Sequence, residues 1–409
     1  MSPRALRLVV AGGASLLALG AGEMVARAAY GPGFLSLADP YEHHPYRAGV
    51  EYVDAAGHRT ATNPLGWKDA TARRAVARDP APRRRVVFLG DSFTEGLGLP
   101  ADETPSAFAE AELGGDRYEV LNGGRVSYSP LLEYQRLKRF LAHGYRADVV
   151  VVLPDLSDVQ DELAYAGEYE YAADGEPLRL RGSGHLPPVR WLYNRLALAR
   201  WTRRGMQRLA GRTPPAEVAH AGREIVLDAA EAARLRTAAA LSTAAYLALS
   251  PEARAVLRHA WVDHAPSREG WARDGLRRLE ANLARLHALA ARRGMRLLVV
   301  VYPLPQVLYT EHDPARYREL RRRFPRWFHE REQLHGSRPS AGAAAFRTAI
   351  REVCAARSIP FLDLFPAFSE DPEWQLLFLA GDVHFSPAGS RLVGREIARA
   401  VRRGEPEGR

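Results

Sequence analysis

The sequence predicts an α/β fold, a doubly wound parallel sheet of about five strands with helices on both faces and a helical insertion. Three observations predict it. Short apolar runs of strand length recur along the chain. Segments with apolar residues at helical spacing alternate with them. The first run, Val86-Val87-Phe88-Leu89, ends abruptly in Gly90-Asp91-Ser92. Open parallel sheets place their ligand sites beyond such strand ends.

Strands are expected at Val86–Leu89, Tyr118–Leu121, Val149–Leu153, Leu297–Tyr302 and, shorter, Pro360–Leu362. Leu131, Tyr134, Leu137, Phe140 and Leu141 share one helix face, which Gly144 ends. Leu276, Leu279, Leu283, Leu286 and Ala290 repeat by threes and fours up to a C-cap at Gly294. Ser386 followed by Pro387 starts a last helix running to about Arg402. The alternation breaks at residues 164–265, where 189–211 and 218–249 read as helical, anchored by Trp191, Leu192, Leu196, Leu198 and Trp201. That insertion either caps the site or is a structural elaboration. Residues 310–342 form a smaller irregular region rich in arginine and aromatics. The core domain is therefore expected at 86–163 and 266–402, with a tail at 403–409.

Residues 1–30 carry Arg4 and Arg7, then 15 uncharged residues from Leu8 to Gly22. Positive charge before an apolar run reads as a signal peptide or an N-terminal membrane anchor. The run is shorter than the roughly 20 residues of a comfortable span, and Ala26-Arg27-Ala28 can serve as a small-x-small cleavage site. Either reading puts the bulk of the protein outside the cytoplasm: periplasmic, secreted or membrane-anchored. Residues 31–85 read as an irregular segment and linker. Within it Asn63–Asp69 is an ordered turn burying Leu65 and Trp67, and Asp79-Pro80-Ala81-Pro82 with three arginines leads into the core.

The 409 residues are 46% hydrophobic and 26% charged, an ordinary globular balance with room for a large core. The net charge of +9 is almost all arginine, since the lysines are Lys68 and Lys138 alone. No compact basic cluster alternates with aromatics, so a nucleic-acid partner is not expected. Cys354 is the single cysteine. It excludes an intrachain disulfide and a multi-cysteine metal site, and reads as helix packing.

A serine hydroxyl becomes a nucleophile when a neutral imidazole takes its proton and a third group holds the imidazole's tautomer. Ser92 stands at a strand end, before a helix whose dipole favours developing negative charge. Near the far end of the chain, Gly381-Asp382-Val383-His384 offers a base, His384, and an orienting acid, Asp382, on one loop that Gly381 lets turn. An oxyanion hole is also needed. The Ser92 N–H is one donor. Gly124, in Asn122-Gly123-Gly124 after the second strand, is a second, because without a side chain it can approach a ligand closely. Gly90 and Asp91 support the nucleophile turn. Such a constellation suits acyl transfer.

These blocks resemble those of the SGNH/GDSL hydrolases: Gly90-Asp91-Ser92 as nucleophile block, Gly124 as glycine block, and Asp382-Val383-His384 as last block. Val149–Glu162 falls where the third block belongs. Leu297–Pro305 and Phe361–Phe365 look like that family's later strands. The resemblance covers about 86–162 and 267–402. It implies a flavodoxin-like fold, an acyl-serine mechanism and no metal or organic cofactor. It departs in two places. The family's third block usually supplies an asparagine to the oxyanion hole; here Pro154 or Asp155 stands there, depending on register. A carboxylate donates only when protonated. The acid–histidine spacing is two residues rather than three, as in envelope relatives similar to alginate acetyltransferases.

The resemblance thus implies an extracytoplasmic serine esterase or O-acyltransferase acting on an acyl ester, with acetyl on an envelope or extracellular glycan as the expected group. The alternative is a catalytically inactive envelope protein of this fold for glycan binding or assembly. Membrane association is expected through the N-terminus. Asp155, Asp158, Asp161 and Glu162 read as a solvated loop with helix-capping roles rather than a calcium site. Asp363 is a competitor to Asp382, and His43, His44 and His58 read as surface residues.

Overall fold

The computed structural model describes residues 17–25, 35–54, 56–71, 75–181, 242–248, 270–305, 341–379 and 382–404, with isolated positions between them. The chain divides into two compact units, Met1–Arg47 with Leu180–Arg223, and Ala48–Arg179 with Glu224–Arg409. In the first, the Asn194 side chain pairs with Ala38, accepting from its N–H and donating to its carbonyl, each at 3.0 Å. The expected helices at 189–211 and 218–249 lie almost wholly outside the described residues.

The second unit is built on one sheet. Its strands are β1 (Glu51–Val53), β2 (Arg59–Thr62), β3 (Lys68–Asp69), β4 (Arg84–Gly90), β5 (Tyr118–Asn122), β6 (Val149–Leu153), β9 (Arg296–Val301) and β10 (Phe361–Asp363). A separate pair is formed by β7 (Tyr169–Tyr171) and β8 (Pro177–Leu180). The helices are α1 (Ser92–Glu95), α2 (Pro105–Leu113), α3 (Pro130–Ala142), α4 (Asp158–Ala166), α5 (Thr243–Leu247), α6 (Gly270–Arg292), α7 (Ala341–Ala356), α8 (Phe365–Ser369) and α9 (Pro387–Arg403).

The sheet order is β1-β2-β3-β5-β4-β6-β9-β10. The five strands β5, β4, β6, β9 and β10 run parallel, as the sequence predicts. Their order makes β4 the switch point, since the chain goes to one side for β5 and to the other for β6. The crevice at their carboxyl ends is where such sheets bind ligands. Residues 31–85 are not the irregular linker expected. Three short antiparallel strands, β1 to β3, extend the sheet through the pairing of Lys68 with Asn122. Strands this short leave almost no periodic signal. The predicted Asn63–Asp69 turn is the β2–β3 connection. Asn63 Oδ1 accepts from Leu65 N–H and Trp67 N–H, and the buried Trp67 stacks on Phe140 at 5.3 Å.

Every residue of β6 is buried, as are all but the first of β4. Such strands need cover on both faces. Two helix layers supply it: α2 packs on α9, while α6 packs on α3 and α4. The third arginine of the expected linker, Arg85, is fully buried in β4. Its guanidinium donates to Glu119 on β5 at 2.6 Å and to the carbonyls of Ala77, Arg78 and Arg146. Desolvating that ion pair is costly, and the full set of partners offsets the cost. Cys354 is buried in α7, and burial pushes its thiol up to about 12, consistent with a packing role.

The α6–α4 contact depends on a missing side chain. A Cβ on Gly275 would stand 2.3 Å from the Val159 carbonyl. Gly275→Ala is expected to cost about 1–3 kcal/mol by forcing the helices apart, read as a lowered urea midpoint.

Candidate active site

Ser92 opens α1, just beyond the carboxyl end of β4. The turn is tight because Gly90 allows it: a Cβ there would lie 2.1 Å from Thr94 Oγ1. Asp91 caps α1, its Oδ1 accepting from Phe93 N–H at 2.9 Å. The expected bracing role of Asp91 is thus present, and its buried carboxyl has further contacts.

The acid–histidine loop reaches the same place from the other end of the chain. His384 Nε2 lies 2.8 Å from Ser92 Oγ. Its Nδ1 lies 2.6 Å from Asp382 Oδ1, which also accepts from His384 N–H at 3.1 Å. The loop is pinned by the antiparallel bridge of Phe378 with Phe385 and by Ser386, whose hydroxyl accepts from Gly389 N–H and starts α9 with Pro387. Phe93 packs against the imidazole at 4.8 Å and against Tyr302 at the same distance. Burial alone would raise the Asp382 pKa, but the His384 hydrogen bonds and charge and the Val383 N–H hold it down to about 2. Gly381 lies outside the described residues. Asp363 is committed elsewhere, to Arg347 at 2.8 Å and Arg351 at 2.6 Å.

Gly124 is brought onto α1 so closely that a Cβ would stand 2.3 Å from Glu95 N. Two buried groups hold it there. Arg136 on α3 donates to the Gly123 carbonyl at 2.7 Å, and Glu95 Oε2 accepts from Val126 N–H at 2.8 Å. Lys68 on β3 secures the other side of α1, donating to the carbonyls of Gly96 and Leu99. None of these three was identified from sequence; a lone buried charge has no local pattern. One expectation needs correcting. The Gly124 N–H donates to Asn122 Oδ1 at 3.0 Å, so it is engaged in a side-chain turn rather than pointing free. The Ser92 N–H has no acceptor among the described residues.

Asp155 follows β6 across the switch point from Ser92. Its Oδ1 accepts from Ser157 N–H and the Ser157 hydroxyl, each at 2.7 Å, and from Asp158 N–H at 3.2 Å. Burial, followed by the Asp155 charge, raises the Asp91 pKa well above its ordinary value. The acidic run is not the solvated loop expected: Asp155, Asp158, Asp161 and Glu162 are all buried. The capping role is real, but the helix turns its acids inward, which residue type alone does not reveal. No group of three or more acids, histidines or cysteines among the described residues has the arrangement to hold a metal ion. Glu133 on α3 joins the cluster, and neither of its oxygens has a hydrogen-bond partner among the described residues. Of the histidines expected at the surface, His43, His44 and His58 are half-buried.

A strand-edge serine, histidine and aspartate in series on an open α/β sheet define a serine-hydrolase arrangement. Residues 197–392 match the model of the GDSL-like lipase/acylhydrolase family. Over that span, just under half of its length, the chain is similar to this family of lipases and acylhydrolases, and the match supports hydrolase activity on ester bonds. The matched span takes in Asp382 and His384 but not Gly90-Asp91-Ser92. Solved structures with similarity include a lipase/acylhydrolase from Enterococcus faecalis, with 14% identity over 80% of this chain and 100% of that one, TM-score 0.35. Another is a catalytic mutant of an acetylxylan esterase from Geobacillus stearothermophilus, with 12% identity over 80% and 96%, TM-score 0.36. A third is a lipolytic protein of the G-D-S-L family from Veillonella parvula, with 12% identity over 78% and 99%, TM-score 0.35. No curated protein matches the chain.

Burial pushes Glu133 up to about 8, with Glu162 adding to the rise and Arg136 opposing it. Burial likewise raises Glu162 to about 7. The folded protein therefore keeps protons that the unfolded chain releases above the ordinary value of 4.5. The stability these groups contribute is full below that value and is lost as pH rises through about 7 and 8. The urea midpoint is expected to be lower at about pH 9 than at about pH 5, and Glu133→Gln to narrow that difference.

Proposed function

We propose that the chain is a serine esterase or O-acyltransferase working through an acyl-serine. The observation that carries the reading is the series Asp382–His384–Ser92, with contacts of 2.6 and 2.8 Å. In this reading His384 Nε2 takes the hydroxyl proton as Ser92 Oγ attacks the ester carbonyl. Asp382 holds the Nδ1–H tautomer and stabilises the imidazolium. The Ser92 N–H receives the tetrahedral oxyanion, joined by Gly124 N–H when Asn122 releases it. Collapse passes the proton from His384 to the leaving alcohol. Water or a sugar hydroxyl then attacks the acyl-serine, with His384 again as base. Each step is supplied by the chain's own groups.

The substrate class we propose is a small acyl ester, acetyl on an envelope or extracellular glycan. Beside Asp155 lies a cavity of about 10 Å³ lined also by Leu156, Tyr302, Pro303, Leu304, Phe346 and Arg347. Ser92 and His384 are not among its described lining residues. The two-residue Asp382–His384 spacing and the N-terminal apolar run support an extracytoplasmic place, by export or by an anchor at the membrane. No described helix is long and apolar enough to cross a membrane. The engaged Gly124 amide and the absent asparagine favour the second reading, a non-catalytic glycan-binding protein.

Labelling by a fluorophosphonate probe and hydrolysis of p-nitrophenyl acetate separate the two. Both are expected in the wild type and absent in Ser92→Ala, while Asp382→Asn should lower kcat on the order of 10³–10⁴-fold. Folded wild type that neither labels nor hydrolyses refutes the enzyme reading. Acetyl appearing on an added sugar, rather than only in water, identifies transfer.

A further inference from the structure

The net charge of the chain is not spread along it. Met1–Arg47 and Leu180–Arg223, the segments of the first compact unit, hold thirteen arginines, no lysine and four acids, a net charge of +9. The other unit holds basic and acidic residues in equal number and is formally neutral. The two segments are remote in the chain, so this segregation is a product of the fold. A charge excess of one sign attracts an anionic surface or polymer.

The same unit exposes apolar surface. Residues 17–25 are helical and continue the uncharged run that starts at Leu8. Every residue from Leu17 to Ala21 is exposed, and five successive residues go right round a helix of about 3.6 per turn. Leu17 is 78% exposed, Leu19 57%, Met24 69% and Val25 69%. Within 17–25 only Gly22 and Glu23 are half-buried. Glu23 Oε2 accepts from Leu198 N–H at 2.9 Å, and a Cβ on Gly22 would stand 3.2 Å from the Leu198 side chain. The helix is thus docked on the second segment of its own unit. A helix apolar on every side needs cover. No described helix is long and apolar enough to cross a membrane, so a span does not supply it.

What covers it follows from the arginines it stands among. Arg195 is three residues before Leu198. With Arg47, Leu37 and Asn194 it forms the described lining of a cavity of about 430 Å³. Arg47 is set there by donating to the Asn194 carbonyl at 2.7 Å, and Asn194 by its two bonds to Ala38. Guanidinium forks match phosphate oxygens, and a cavity of this size admits a headgroup. A soluble polyanion would meet the arginines and leave the apolar helix in water. A second copy of the unit would set +9 against +9. An anionic lipid surface satisfies both the charge and the apolar helix. We propose that the first unit is a docking module for anionic phospholipid: residues 17–25 enter the boundary between headgroups and acyl chains, and Arg47 and Arg195 take headgroup phosphates. The helix is then a retained part of the fold rather than a segment removed on export. The inference deepens the extracytoplasmic reading above and is independent of the chemistry at Ser92.

The test is co-sedimentation of the full-length chain with vesicles of phosphatidylcholine alone and of phosphatidylcholine with about 30 mol% phosphatidylglycerol, at low and high salt. Binding is expected to the anionic vesicles, about tenfold weaker or more to the neutral ones, and to weaken as salt rises. Arg195→Glu should weaken it on the order of tenfold, by reversing one charge at the surface. Leu19→Asp should weaken it to a similar degree, by setting a charge on the inserted helix. Both side chains are exposed, and circular dichroism checks that the variants fold. Equal binding to the two vesicle types overturns the proposal, as does unaltered binding in either folded variant. Binding to heparin with none to vesicles overturns it in favour of a soluble polyanion. Mass spectrometry of the chain from an exporting host gives a further check: a chain cut after Ala28 overturns the docking module and leaves the extracytoplasmic reading standing. Ser92→Ala should bind the anionic vesicles as wild type does, so an inactive enzyme and a failed docking module are told apart.

Discussion

A 2.8 Å hydrogen bond between Ser92 Oγ and His384 Nε2 joins residues 292 positions apart, and the rest of the core serves to hold it. One end is set by β4, whose buried run can stop only where Gly90 lets α1 fold back on it. The other end is set by α9. Its start is fixed by Ser386 and by a close approach of Gly389 to the Leu377 carbonyl, where any Cβ would stand 2.0 Å away. Two glycines at crowded backbone contacts thus bring a nucleophile and its base within hydrogen-bond reach, with little freedom left to lose on binding.

Around that bond the structure places charge where packing alone would put none. Lys68, Glu95, Arg125 and Arg136 are buried about the nucleophile helix and the glycine loop. Each has partners: Lys68 neutralises carbonyls at the end of α1, and Glu95 meets Arg125 at 3.6 Å and the Val126 N–H. Such groups are costly to bury and costlier to leave unpaired, so they fix the relative position of α1 and the glycine loop sharply. On the opposite side lies an acid cluster with little compensating charge. The two flanks of the serine thus differ, with paired cations on one and buried carboxyls on the other.

The antiparallel strands β1 to β3 fit the same logic. They bring Lys68 to β5 and Trp67 onto Phe140 and Arg136, so the N-terminal segment braces the glycine loop from outside. Without them, the edge of the parallel sheet beside β5 would be open, with unpaired backbone groups.

Much of this was legible in the chain itself. Apolar runs gave all five parallel strands to within two residues at each end, because strands covered by helices are largely apolar. Ser92, His384 and Asp382 were legible because the chemistry restricts residue type and spacing so tightly. What the sequence could not show was direction. Asp155 and Asp158 look the same on paper whether solvated or buried, and an amide such as that of Gly124 carries no sign of its acceptor. Arg85 read as linker because a charge has no periodicity once its partners come from Glu119 and three distant carbonyls. Sequence by itself determined the fold class and the residues able to do acyl chemistry. Only the tertiary structure decided which hydrogen-bond donors are engaged and which carboxyls are buried, because both depend on partners remote in the chain.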